Sequence, residues 1–230
     1  MSDGLEIPSR AQRLMIASAA SGTHDRWYVR IKMKTDPAYN AVIRELASSD
    51  LPLLDIGCGM GLLGLYLRAA GFQSPVTGID FDAAKIAQGQ TMIQRLGHQD
   101  LSLATGNALS DLPSFSGNVV ILDILQYFNA DDRHQVLRSA MSRVAPGGKL
   151  IIRSGLKEAS WRFRLTALTD AIAASAKWMK SPPLTYPTQS DFEGVLSSEG
   201  FESTVHPLWG RTPFNNYLIV GSRPPRAVAS

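Results

Sequence analysis

The sequence predicts an α/β domain built on a doubly wound, mostly parallel seven-stranded sheet whose last strand is antiparallel. Three observations carry this. After residue 50, short apolar runs alternate with helical patterns, and each parallel crossover needs a helix. Leu53-Leu54-Asp55-Ile56 runs into Gly57-Cys58-Gly59-Met60-Gly61 and then Leu62-Leu63-Gly64, which reads as a buried strand, a glycine turn and a helix start. Near the far end, residues 201–206 and 215–221 are strand-like and close enough to pair as a hairpin.

Residues 1–50 precede the first core strand and carry helix-like stretches at 9–21 and 37–48. Arg10 and Arg13 followed by Leu14-Met15-Ile16-Ala17 superficially suggest a signal peptide. The run is short and broken by Ser18, so it reads as an amphipathic helix. Residues 75–80 form a second strand ending in Asp80. Residues 82–96 come next as a helix with an apolar stripe of Ala83, Ile86, Ala87, Ile93 and Leu96, stopped by Gly97.

Residues 101–105 are the third strand. The continuous apolar run at 118–122 suits a central fourth strand buried on both faces. A helix at 136–144 ends at Pro146-Gly147-Gly148, before a fifth strand at 149–153. Residues 154–189 have no counterpart in a minimal sheet. Trp161, Leu165, Leu168 and Ile172 recur there at helical spacing, as either a helix over the active site or an ordinary surface helix, and Pro182, Pro183 and Pro187 form a stiff connection after it. Residues 191–200 read as a helix ended by glycine, and 223–230 as a frayed tail. The expected organisation is a helical leader or lid at 1–50, the main domain at 51–223 with a helical insertion at 156–189, and a tail at 224–230.

The glycine turn limits the ligand. A dinucleotide loop would place its third glycine at position 62, which is Leu, so a nicotinamide-dependent oxidoreductase is a minor alternative. No Gly-Lys-Ser or Gly-Lys-Thr occurs, which disfavours triphosphate binding. Asp55, two residues before Gly57, repels phosphate and attracts a cation. Asp80, at the tip of the next strand, stands where a carboxylate grips ribose hydroxyls.

Asp55-x-Gly57-x-Gly59-x-Gly61 with Asp80 resembles the class I S-adenosylmethionine-dependent methyltransferases, over about residues 53–220, and the Pro-Gly-Gly turn adds to the likeness. The resemblance implies a Rossmann-like methyltransferase fold, a leader lying over cofactor and substrate, and S-adenosyl-L-methionine as cofactor. It also implies cofactor contacts from Asp55, Gly57, Cys58, Gly59, Asp80, Phe81, Asn107, Ala108, Asp123 and Leu125. Asn107 replaces the acid that many members use on the adenine amino group, and its amide oxygen can accept the same bond. A non-catalytic cofactor-binding partner protein is the alternative.

Asp25-Arg26-Trp27-Tyr28, Lys34-Thr35-Asp36-Pro37 and residues 209–217 are further similar to methyltransferases of bacterial aryl-polyene pigment gene clusters. That likeness implies a small-molecule or lipophilic aryl or polyene acyl acceptor, free or tethered to an acidic carrier protein. The stretch from Lys149 to Lys180, with Arg153, Lys157, Arg162, Arg164 and Lys177 against only Glu158 and Asp170, offers such a carrier a basic surface.

Methyl transfer is a direct displacement in which alignment does most of the work, and a base is needed only when the acceptor must lose a proton. His24, His206 and Tyr127 are the candidates for that role, with Asp123 and Gln126 beside Tyr127 at the carboxyl edge of the fourth strand. His98 and His134 read as surface residues. Asp123-Ile124-Leu125-Gln126 replaces the Asp/Asn-Pro-Pro-Tyr signature of nucleic-acid amino methyltransferases, so no nucleic-acid partner is expected. No pattern suggests a metal site. One cysteine excludes an intramolecular disulfide, no run is long enough to span a bilayer, and the net charge of +3 is mild. A cytoplasmic location is the expectation.

Overall fold

A computed structural model describes residues 4–158, 186–209 and 215–226. Its strands are β1 (Leu53–Ile56), β2 (Val76–Asp80), β3 (Leu101–Thr105), β4 (Asn118–Leu122), β5 (Lys149–Gly155), β6 (Glu202–Pro207) and β7 (Asn216–Ser222). They form one sheet in the order β3-β2-β1-β4-β5-β7-β6. Strands β1 to β5 are parallel, whereas β7 runs antiparallel to both β5 and β6. Strand order reverses between β1 and β4, which opens a crevice at their carboxyl ends.

The described helices are α1 (Arg10–Ala19), α2 (Thr23–Thr35), α3 (Pro37–Leu46), α4 (Leu62–Ala69), α5 (Ala83–Leu96), α6 (Ala130–Met141) and α7 (Gln189–Ser198). Strand alternation divides the core between the two faces of the sheet. Leu53, Val76, Val120 and Ile151 pack with residues of α1 to α5. Leu54, Ile56, Val119, Ile121 and Ile152 pack with α6 and α7. Val119, Val120 and Ile121 are fully buried, each contributing about 1.5–3 kcal/mol relative to exposure. The same alternation puts Asp55, Asp80 and Arg153 on the face that carries α1 to α5.

The structure departs from the sequence expectations at three places. The leader contains an additional helix, α2, whose many charges weaken its apolar pattern but whose Val29 and Met33 are buried. Helix α6 starts at Ala130 because the Asn129 side chain caps the Asp132 N–H at 2.9 Å. Arg223 is pinned rather than frayed: its N–H donates to the Gly148 carbonyl at 2.9 Å, and its guanidinium to the Val144 carbonyl at 2.7 Å.

The leader is packed into the domain. Ile16, Ala17, Val29, Met33, Val42 and Leu46 are buried. Gln12 donates to the Ala69 carbonyl on α4 at 2.9 Å, and Arg95 on α5 donates to the Ala19 carbonyl at 2.7 Å. The expected helix around Trp161 to Ile172 lies outside the described residues.

Candidate active site

The turn after β1 is tight because Gly57, Gly59 and Gly61 all take left-handed φ values, of 80°, 56° and 67°. The Gly57 and Cys58 N–H groups both donate to the Ile79 carbonyl, at 2.8 and 2.9 Å. A Cβ on Gly57 would stand 2.5 Å from Ile124, and one on Gly61 would stand 2.9 Å from Leu103. Above Gly59 the space is open, the nearest atom being the Lys85 side chain at 3.9 Å. The bare turn thus meets protein on two sides and leaves room for a ligand on the third.

Asp80 ties β2 to this turn. Its Oδ2 accepts the Gly59 N–H at 2.8 Å and its Oδ1 accepts the Asp82 N–H at 2.9 Å. A carboxylate offers about four lone-pair sites, so acceptor capacity remains on both oxygens. Asp55 is 3% exposed, and among the described residues no hydrogen bond reaches its carboxylate. Burial, and next the charge of Asp80, raise its pKa to about 7, although Lys32 pulls the other way. A buried carboxylate without donors is stabilised by a cationic partner, which fits a sulfonium amino acid and not a phosphate.

Cys58 packs under the turn: its sulfur lies 2.8 Å from where a Cβ on Gly78 would stand. Burial, then Asp55 and Asp80, push its thiol well up, so it is not a nucleophile at neutral pH. Phe81 is 67% exposed just beyond Asp80, at the strand tip. Asn107 and Ala108 come directly after β3, and the Asn107 amide oxygen already accepts the Leu109 N–H at 2.9 Å, leaving one lone pair for a ligand.

On the other side of the crevice, Asp123 stands just past β4 with φ 60° and is gripped by Arg153 of β5, whose Nε donates to Oδ1 at 2.7 Å. The Arg153 guanidinium also pairs with Asp36, and Asp36 pairs with Lys32 of α2 at 3.2 Å. Burial disfavours both cations, but Asp123 and Asp36 outweigh it for Arg153, and Tyr39 and Asp36 for Lys32, so both are held charged. Burial likewise opposes ionisation of Asp36, and Arg153 and Lys32 override it.

Leu125 is fully buried beneath the crevice, in the one-turn helix Leu125–Tyr127. Gln126 donates to the Asp123 carbonyl at 2.9 Å, and its Oε1 is buried without a donor. Tyr127 is half-buried at the same edge.

The crevice gathers Asp55, the glycines, Asp80, Asp123, Gln126 and Tyr127, but not His206. That residue is exposed on the edge strand β6, four strand spacings from β1 or roughly 19 Å. His24 stands at the start of α2 with its side chain 90% exposed, 3.4 Å from Asp25, which in turn receives a bond from Gln88 of α5.

Two cations of the basic stretch are engaged within the domain. Lys149 pairs with Glu45 at 2.8 Å and Arg153 is buried in its ion pairs, so neither belongs to a docking surface. Arg162, Arg164, Lys177 and Lys180 lie outside the described residues, as do residues 210–214 of the aromatic loop. Sequence reasoning missed the chain Lys32, Asp36, Arg153 and Asp123. It also missed Gly89, where a Cβ would meet the Met60 carbonyl at 2.5 Å, so that only glycine lets α5 approach the turn this closely.

Comparison with known proteins agrees with this geometry. Residues 53–148, from β1 through the turn before β5, match the family model described as a methyltransferase domain. The chain is 24% identical over 170 residues to the ubiquinone/menaquinone biosynthesis C-methyltransferase of Geobacter sulfurreducens, covering 67% of this chain and 66% of that protein. It is 30% identical over 114 residues to the ribosomal protein L11 methyltransferase of Methylobacillus flagellatus, covering 50% of this chain and 35% of that one. The chain therefore spans just under two thirds of the first relative and about a third of the second. Among solved structures, the magnesium protoporphyrin IX methyltransferase from Synechocystis with bound SAH shares the fold, with a TM-score of 0.63, 16% identity and 93% of each chain covered.

Proposed function

We propose, from the premise that this chain is a class I S-adenosylmethionine-dependent methyltransferase by its domain and its fold, that it methylates a small lipophilic acceptor of the aryl acyl class by direct displacement. The observation that carries the reading is the pair Asp55 and Asp80, at neighbouring strand tips beside a turn of three left-handed glycines. Bound there, S-adenosylmethionine supplies an activated methyl group on a positively charged sulfur.

The residues present fit that group. Asp80 has acceptor capacity for two ribose hydroxyls beyond its bonds to the turn. Asp55, which lacks a donor, balances the positive charge of the amino acid end. Phe81, exposed at the strand tip, and Asn107 with Ala108 border the adenine. Gly57, Cys58 and Gly59 shape the floor, and Asp123 and Leu125 close the β4 side.

Gln126 and Tyr127 fall to the acceptor. The unpaired Gln126 Oε1 can receive a hydroxyl or amide proton from the acceptor and fix its angle of approach. Tyr127 supplies a ring wall and a phenolic proton relay. Lys32, held charged by Asp36, cannot serve as a base. The His24 side chain is 90% exposed and shares the outer face of α2 with Trp27 and Ile31, which favours an acceptor whose methylation needs no histidine base.

The test is transfer of labelled methyl from S-adenosylmethionine to aryl carboxylic acids, phenols and aryl acyl thioesters on a carrier protein. Label in an aryl product supports the reading. Saturable cofactor binding with no transfer to any of these acceptors counts against it.

A further inference from the structure

Seven large apolar side chains are exposed among the described residues, and six of them, Ile7, Leu14, Met15, Trp27, Tyr28 and Ile31, lie in the leader. Leu14, Trp27 and Ile31 meet in a groove of about 470 Å³ between α1 and α2, whose remaining lining is Arg10, Arg13, Arg30 and Lys34. Among the described residues, no acid lines the groove. Among the described residues, none of these four cations stands within ion-pair distance of a carboxylate.

Packing does not account for this face. Helix α1 already buries Ile16, Ala17 and Ala19 inward, so Leu14 and Met15 are surplus to the core. Helix α2 has two opposed faces at the same spacing. Val29, Lys32, Met33 and Asp36 look towards the domain and the crevice, whereas Trp27, Arg30, Ile31 and Lys34 line the outside. An apolar groove ringed by cations without carboxylate partners selects a partner that is apolar and anionic together.

We propose that the outer face of α1 and α2 is a docking surface for an anionic lipid bilayer, with Leu14, Trp27 and Ile31 entering the headgroup boundary and Arg10, Arg13, Arg30 and Lys34 pairing with lipid phosphates. Two features favour a bilayer over an acidic protein. The exposed apolar groups spread beyond the groove to Ile7, Met15 and Tyr28, a breadth that a fluid interface accommodates without a matching partner shape. Tryptophan and tyrosine flanked by cations, with aliphatic groups between, is the composition of helices that lie in the interface plane. Because the inner face of α2 reaches Asp36 and the crevice, a bilayer on its outer face lies about one helix diameter, ~10 Å, from the site. A lipophilic acceptor dissolved in the membrane would then be delivered at the rim. Lipid docking itself does not depend on methyl transfer.

The test is cosedimentation of the full chain with vesicles of phosphatidylcholine alone and of phosphatidylcholine with phosphatidylglycerol. Binding to the anionic vesicles, weakened by added salt and accompanied by a blue shift of tryptophan emission, is expected. Arg30→Glu with Lys34→Glu should lower partitioning about tenfold or more, and Trp27→Ala with Ile31→Ala should lower it while circular dichroism and calorimetric cofactor binding stay parental. The proposal is overturned by absence of binding to anionic vesicles at low salt, or by binding that both folded double variants retain in full. Saturable binding of an acidic acyl carrier protein at this face without vesicle binding also overturns it. Cofactor calorimetry reads the methyl-donor site separately, so failure of one reading is distinct from failure of the other.

Discussion

Arg153 holds Asp123 in a two-point grip from the neighbouring strand, and Asp123 is the one non-glycine residue among those described that adopts a left-handed φ. Aspartate tolerates that conformation better than most residues, and the guanidinium fixes where its carboxylate points. The same guanidinium reaches Asp36 at the N-cap of α3, so the leader and the crevice share one buried cation.

Breaking that cation should cost stability. Arg153→Met leaves Asp36 buried beside Lys32 alone, and the expected loss is about 3 kcal/mol in urea unfolding. The Asp123 half contributes less, since its side chain is 37% exposed and screened by water. Adding Asp36→Leu to Arg153→Met should recover little of the loss, because it also removes the N-cap of α3 and the carboxylate partner of Lys32.

Asp55 should make both stability and cofactor binding depend on pH. Its folded pKa of about 7 lies above the ordinary 3.8, so the native state holds a proton that the unfolded chain releases earlier. The contribution of Asp55 to stability is therefore full below the lower value and is lost as pH rises through 7. A cationic ligand beside Asp55 favours its ionised form, so affinity for S-adenosylmethionine should rise across the same window with proton release. Asp55→Asn should flatten both profiles, as read by urea titrations and by calorimetry in buffers of different ionisation heat.

Gly89→Ala should destabilise although alanine favours helices by about 1 kcal/mol. The new methyl meets the Met60 carbonyl oxygen and carbon at 2.5 and 2.8 Å, backbone atoms that cannot turn aside. A net loss of roughly 1–3 kcal/mol is expected, with weakened cofactor binding because Met60 belongs to the turn.

Cys58 should resist alkylation in the native state at neutral pH, since burial and the two nearby carboxylates disfavour its thiolate. Reaction with iodoacetamide at the rate of a free thiol would contradict the placement of Cys58 under the turn.

Much of this fold was legible because it rests on short-range patterns. The strands at 53–56, 101–105 and 118–122 and the Asp82 and Gly97 caps of α5 arise from apolar runs and capping chemistry. The seven-strand sheet with its antiparallel β7 arises from the hairpin after α7. The position of Asp55 and Asp80 beside the glycine turn was legible because each lies at or near the end of a short apolar strand that leads into it. The parts that were not legible depend on distance. Arg153 and Asp36 are 117 residues apart, and nothing in the composition of a basic stretch distinguishes a buried arginine from a solvated one. His206 fell short for a similar reason, since its remoteness comes from β7 lying between β5 and β6. Helix α2 was obscured because one of its faces meets the domain and the other meets solvent with apolar groups still exposed.

The central claim is tested most directly by isothermal calorimetry of S-adenosylmethionine and its demethylated product against the parent chain and Asp80→Ala. The account predicts saturable binding of both by the parent and a loss of about 1.5–3 kcal/mol in the variant, roughly a ten- to 150-fold weaker affinity, because the variant loses the acceptor for ribose and the anchor of the Gly59 N–H together. Absence of binding to the parent, or equal affinity in the variant, would contradict it.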